Sequence, residues 1–345
     1  MVPHRRLGFI AALTIASLSC VTEPQLLSLD PSLQRIFFWG EFSRPNAGYP
    51  TVSLYNPTWI DTSSILAFTG ERFGLDSVLV GLFEFKFDPK SLEYLSHAGY
   101  RFDRHVWTIG FDYTSGRALV VSVADDDVPR VSAVTLDNAE VREEIVVPSE
   151  WSPWGVATSR SFPGIVFYGE DPATRIAGFY VHRVTPSAGA RDSLLLQRSL
   201  TRDDARGLSL SADGTKLFFL EGDSNVMFYS YDLLADRSVP QVIAQRAGGI
   251  GNTAPHPLDP DLLLINYTFP GDAHRAPGTH VELVRLSTQT ATELDIRTGM
   301  FEGDFSLADH PCWRPDGQGF CFAGRYFNGE AAGGTAWSLW YRAVP

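Results

Sequence analysis

The sequence predicts an all-β chain folded as a β-propeller, on three observations. A twelve-residue strand–turn–strand segment recurs along the chain, its apolar residues fall at fixed places within each copy, and most copies follow one another at about fifty residues. The clearest copy is Leu208–Phe219, LSLSADGTKLFF. Leu208 and Leu210 alternate with Ser209, Asp213-Gly214 makes the turn, and Leu217 and Phe219 alternate on the return. Glycine supplies the positive φ of a tight hairpin, and alternation turns one side of each strand toward a core.

Six further copies align without a gap: Leu27–Phe38, Pro57–Phe68, Gly110–Val121, Val156–Phe167, Ala254–Ile265 and Pro311–Phe322. Their tenth and twelfth positions are apolar every time, from Ile36/Phe38 through Leu66/Phe68 to Phe320/Phe322. Successive twelfth positions lie 30, 53, 46, 52, 46 and 57 residues apart. Seven copies favour seven blades. A six-bladed ring, in which residues 25–56 complete the last blade, is the alternative, and in both the two termini close the ring.

Each repeat has room for outer strands. Leu82–Phe87, Gly178–Val184, Val226–Asp232, Val281–Leu286 and Trp337–Arg342 are rich in aromatic and β-branched residues and read as third strands. Arg142–Val147 and Gln241–Ala244 read as fourth strands, and Thr51–Tyr55 as the third strand of a first blade. No long stripe of 3.6-residue period appears, so helices are minor.

ArgProAspGly at 314–317 followed by Phe320 and Phe322, and SerAlaAspGly at 211–214 followed by Leu217 and Phe219, resemble the repeat of the TolB-like, WD40-like PD40 propellers of bacterial envelopes. Trp59 and Trp313 fit the aromatic that often precedes the turn. The resemblance spans residues 25–345 as architecture and implies an envelope protein that binds partners, because the motif specifies a fold and not a chemistry. A second likeness is that of Ala254–Tyr267 to a blade of the oligogalacturonate lyases. It implies a metal held by histidines, for which His256, His274, His280 and His310 are the candidates, and an acidic oligosaccharide as substrate. The close-spaced histidine pattern of those enzymes is missing here.

Residues 1–19 read as an export signal: His4, Arg5 and Arg6 form a positive head, and Leu7–Leu18 is an apolar run short for a permanent span. Cys20 follows directly, the place of the lipidated residue in a bacterial lipoprotein, although Ser17 stands where such signals carry Leu, Val or Ile. Residues 20–345 are then one propeller domain, exported, and anchored to a membrane through lipid alone. The whole chain carries a net charge of −12, and loss of Arg5 and Arg6 with the signal makes it −14. That sign opposes non-specific nucleic-acid binding.

No GxSxG, HExxH or CxxC motif is present, no cofactor is expected, and the leading reading is a non-catalytic, monomeric binding module. Residues just before the repeats fall at one rim of a propeller channel: Trp107, Trp154, Arg206, Asn252, Asp309 and His310. This mixture of aromatic, basic and amide groups suits an envelope protein or peptide, or a carbohydrate. The run Asp125–Asp127 lacks calcium-loop spacing and reads as a solvated loop. Cys312 and Cys321 face each other if Asp316-Gly317 is a two-residue turn, which would allow a disulfide. A three-residue loop beginning at Pro315 sets them apart as two thiols.

Overall fold

The structure, a computed structural model, describes residues 32–38, 53–73, 77–102, 104–112, 115–123, 128–137, 140–185, 189–235, 238–269, 278–294, 308–327 and 335–344. Residues 1–19, Cys20, Asp125–Asp127 and His274 lie outside the described residues.

The first strand, β1 (Leu33–Phe38), stands apart from the repeat that follows. Blade 1 is β2 (Ser53–Trp59), β3 (Ser64–Phe73), β4 (Ser77–Phe87) and β5 (Tyr94–Arg101). Blade 2 is β6 (His105–Asp112), β7 (Arg117–Val123), β8 (Pro129–Asp137) and β9 (Glu140–Val147). Blade 3 is β10 (Gly155–Ala157), β11 (Ile165–Glu170), β12 (Ala177–Thr185) and β13 (Gly189–Gln197). A single turn of helix, α1 (Arg202–Ala205), leads to blade 4: β14 (Ser209–Leu210), β15 (Lys216–Glu221), β16 (Asn225–Asp232) and β17 (Gln241–Ala247). Blade 5 is β18 (Gly249–Pro255), β19 (Leu262–Phe269), β20 (Gly278–Arg285) and β21 (Thr290–Leu294). Blade 6 has only β22 (Ala308–Trp313), β23 (Gly319–Phe327) and β24 (Thr335–Ala343) in sequence. Its fourth strand is β1, antiparallel to β24, with Leu33 opposite Arg342.

The propeller therefore has six blades of four antiparallel strands, not seven. The window Leu27–Phe38 is no blade of its own; its second half is the outer strand that closes the ring. Ser53–Tyr55, expected in a third strand, belongs instead to the innermost strand of blade 1. A recurrent irregularity confirms the role of β1. In blades 3, 4 and 6 the outermost strand carries one extra residue, Leu195, Ile243 and Ile36 respectively. Each falls at the same station, beside the third-strand residue opposite Phe167, Phe219 or Phe322. Bulges on outer strands twist the edge away from pairing with other chains.

The other six windows land as expected. Leu66, Phe68, Leu119, Val121, Ile165, Phe167, Leu217, Phe219, Leu263, Ile265, Phe320 and Phe322 are all buried on second strands. They fill five of six apolar clusters, one cluster lying in each gap between neighbouring blades; the sixth, between blades 6 and 1, takes Ile65, Ala67, Cys321 and Ala323 from the opposite faces of β3 and β23. Burial of such rings and branched chains contributes roughly 1.5–3 kcal/mol each.

The innermost strands cannot share backbone bonds across the widening gaps between blades, so short side chains stitch them. Asn56 donates to the Trp107 carbonyl (3.3 Å) and Thr58 to that of Ile109 (3.4 Å). Thr158 donates to Phe111 O (2.7 Å), Ser159 to Ala212 O (2.9 Å), Thr253 to Gly207 O (2.6 Å) and the Trp313 indole to Ala254 O (2.9 Å). Partner numbers rise together from strand to strand, so the innermost strands run in one direction. They begin at one face, called upper here, and end at the lower face, where Asp213-Gly214 and Asp316-Gly317 turn.

Arg314 N donates to Gly319 O (2.8 Å), which sets Cys312 opposite Cys321 across β22 and β23. This is the register of the two-residue turn. Both are free thiols, packed with Trp59 in the gap between blades 6 and 1. Burial pushes the Cys312 thiol up to about 11 and that of Cys321 well above its ordinary value.

Candidate binding site at the channel mouth

The innermost strands enclose a cavity of ≈ 190 Å³ that receives side chains from all six blades. Near its upper end stand Asn56, Thr108, Arg206, Asn252 and His310; near its lower end stand Arg160, Ala212 and His256.

Two of the upper residues sit in a strained backbone. Asn56 (φ 50°) and His310 (φ 48°) each precede a proline, and each dipeptide forms a bulge on an innermost strand. Proline cannot donate to the ladder, and the left-handed conformation of its predecessor turns the chain past the gap. Asn56 is buried, its Nδ2 held by the Trp107 carbonyl, while its Oδ1 accepts no hydrogen bond among the described residues. Asn252 holds the backbone N–H of Thr253 (2.8 Å).

Beside this opening, blades 2, 3 and 4 contribute a cluster of tryptophan and arginine. Trp107 is the bulged residue of β6, and Trp154 immediately precedes β10. Their rings meet edge to face, 5.7 Å between centroids. Arg202 lies over Trp154 at 4.0 Å from guanidinium carbon to ring centroid, and Arg206 over Trp107 at 4.8 Å. Both arginines are set by α1: Thr201 caps it by accepting from Asp204 N (3.1 Å), Asp203 and Asp204 occupy its first turn, and a spacing of four residues brings Arg202 and Arg206 to one side. The Trp107 indole donates to the Arg202 carbonyl (3.3 Å), tying the turn to blade 2. Arg206 pairs with Asp203 (2.9 Å), whereas Arg202 is exposed and forms no ion pair among the described residues. His105, beside Trp107, is held below the ordinary histidine value by desolvation first and then by the Arg206 charge.

Of the residues expected at the rim, Trp107, Trp154 and Arg206 converge in this cluster, and Arg206, Asn252 and His310 line the cavity. Asp309 lies in β22 beside His310, with its side chain outside the described residues. Trp151, three residues before Trp154, turns away and packs on Tyr180 (4.9 Å) and Phe167 (5.7 Å) of blade 3.

The three described candidate metal histidines, His256, His280 and His310, do not meet. His256 lies at the lower end, where Nδ1 accepts from the N–H of Asp259 (2.8 Å) and of Leu258 (3.2 Å), so Nε2 carries the proton and donates to Gly317 O (3.2 Å). His280 is on the third strand of blade 5, bound to Glu293 (2.7 Å) and stacked on Tyr267. His310 is at the upper end. Among the described residues no group of three or more His, Cys, Asp or Glu side chains is placed to hold a metal ion.

No family model matches the chain, and no curated protein matches it. Solved structures do. A protein of unknown function from Bacteroides thetaiotaomicron aligns with TM-score 0.51 at 9% identity, over 85% of this chain and 70% of its own. An oligogalacturonate lyase in complex with manganese aligns with TM-score 0.45 at 15% identity, over 91% and 93% of the two chains. TolB from Acinetobacter baumannii aligns with TM-score 0.42 at 11% identity, over 82% and 67%. At these identities the likeness is one of fold alone, a β-propeller.

Proposed function

We propose that this chain is an exported, non-catalytic propeller, held at a membrane of the cell envelope by lipid on Cys20, that binds an envelope protein or peptide at the upper mouth of its channel. The observation that carries the binding site is the convergence of Trp107, Trp154, Arg202 and Arg206 from three successive blades beside an open cavity. A rigid ring offers such side chains at low entropic cost, and Trp and Arg are the residue types that most often dominate binding energy at interfaces. Export and anchoring rest on the apolar run Leu7–Leu18 and the cysteine after it.

Two measurements test the reading. Cys20→Ser should move the protein from the membrane fraction to the soluble one; unchanged partition removes the lipid anchor. Capture from envelope extracts with the wild-type chain should retain a partner that the Trp107→Ala, Arg206→Ala double variant releases. Equal retention by both removes the mouth as the binding surface.

A further inference from the structure

We propose that the upper mouth recognises a carboxylate on a partner polypeptide, an Asp or Glu side chain or a chain terminus, received between Arg202 and Arg206. This rests on the reading of the mouth as the binding surface and specifies what the surface takes.

The charge pattern is the first argument. The chain has 40 acidic and 28 basic side chains, yet the exposed guanidinium of Arg202 has no carboxylate partner among the described residues. Its face is occupied by Trp154 at 4.0 Å. Stacking of this kind fixes the plane and leaves the N–H groups along the edge to grip an anion, the planar geometry in which arginine holds a carboxylate by two bonds. Arg206 stands four residues on, over Trp107, its charge shared with Asp203. The proton affinity of His105, depressed by desolvation first, is lowered further by the Arg206 charge.

Two further observations select a polypeptide. A sugar ring needs an open aromatic face, and here a guanidinium covers one face of each indole while Trp154 is 8% exposed. The cavity, ≈ 190 Å³, falls below the roughly 300–1,000 Å³ of pockets that enclose a free small molecule. It suits one or two side chains projecting from a partner that docks across the face.

The test is titration of the full chain with acetyl-hexaglutamate and acetyl-hexaglutamine, read by indole fluorescence and by calorimetry, with tri-galacturonate as a third probe. The net charge of −12 opposes adventitious binding of an acidic peptide. We expect hexaglutamate to bind, its affinity to fall at least tenfold in 0.5 M salt, and hexaglutamine to bind at least tenfold more weakly. Arg202→Ala, an exposed change that leaves the fold intact, should cost tenfold or more, and Arg202→Lys less. Equal binding of the two peptides, or an Arg202→Ala variant with wild-type affinity, overturns the carboxylate inference while leaving the mouth as a binding surface. Preference for tri-galacturonate over the peptide overturns the choice of polypeptide. Failure of the mouth itself is read separately, as equal partner capture by the Trp107→Ala, Arg206→Ala variant.

Discussion

Phe37 packs against Phe85 across the closure of the ring, with centroids 4.6 Å apart and planes inclined at 52°, although the two side chains belong to the last and first blades. Phe37 also meets Tyr94 at 5.1 Å and is 4% exposed. Its truncation leaves a cavity at the one seam the covalent chain does not cross in order. Phe37→Ala should destabilise by about 3–5 kcal/mol, seen as a lower denaturant midpoint; a loss under 1 kcal/mol would mean that β1 does not hold the ring shut.

The belt of side-chain hydrogen bonds around the channel gives a second expectation. Thr253 Oγ1 donates to the Gly207 carbonyl, 2.6 Å away, in a buried setting. Thr253→Val keeps the shape and strands that carbonyl, at a cost of about 1–3 kcal/mol. Thr253→Ser, which keeps the hydroxyl, should recover most of it in the same denaturation experiment.

Stability should fall in mild acid. Desolvation among Phe37, Phe83 and Phe85 lowers the His97 pKa, and desolvation followed by the Arg206 charge lowers that of His105. Each ring is therefore more readily protonated in the unfolded chain. The sign follows: their contribution is complete above the ordinary histidine value of about 6.5 and is lost progressively as pH drops below it. Urea midpoints between pH 7.5 and 5 should decline, and His97→Phe should flatten the slope. A midpoint independent of pH in both proteins would contradict this.

The two thiols of blade 6 should be silent in the folded protein. With Cys312 raised to about 11 and Cys321 well above its ordinary value, both by burial, neither forms much thiolate at pH 8, the form that reacts. Iodoacetamide should label them slowly before unfolding and completely after it, without reductant. Failure to label after unfolding would show that the sulfurs are bonded.

Most of the fold was legible because alternation and turn chemistry are local. Leu217 and Phe219, two apart behind Asp213-Gly214, announce a hairpin whatever surrounds them, and five other windows do the same. The window Leu27–Phe38 misled because alternation is blind to the partner strand. Ile36 satisfies the same pattern whether its strand is second in a blade or last. What decides is pairing with β24, some three hundred residues away. At the site, Trp107, Trp154 and Arg206 could be placed because each lies just ahead of a repeat. Arg202 was missed because a four-residue helix leaves no periodicity to read. The signal was nonetheless there: Thr201 before Asp203 and Asp204 is a helix start, and a spacing of four from Arg206 puts the two residues on one side of the turn.

Strand β1 runs opposite to β24, so Leu33 lies at the lower face, beside Arg342 and the 316–317 turn. A leash joined to Leu33 departs from the floor of the ring. If its mooring is Cys20, the thirteen residue steps from there to Leu33 reach at most about 45 Å. The doorway framed by Trp107 and Trp154 lies on the opposite face of the ring from Leu33.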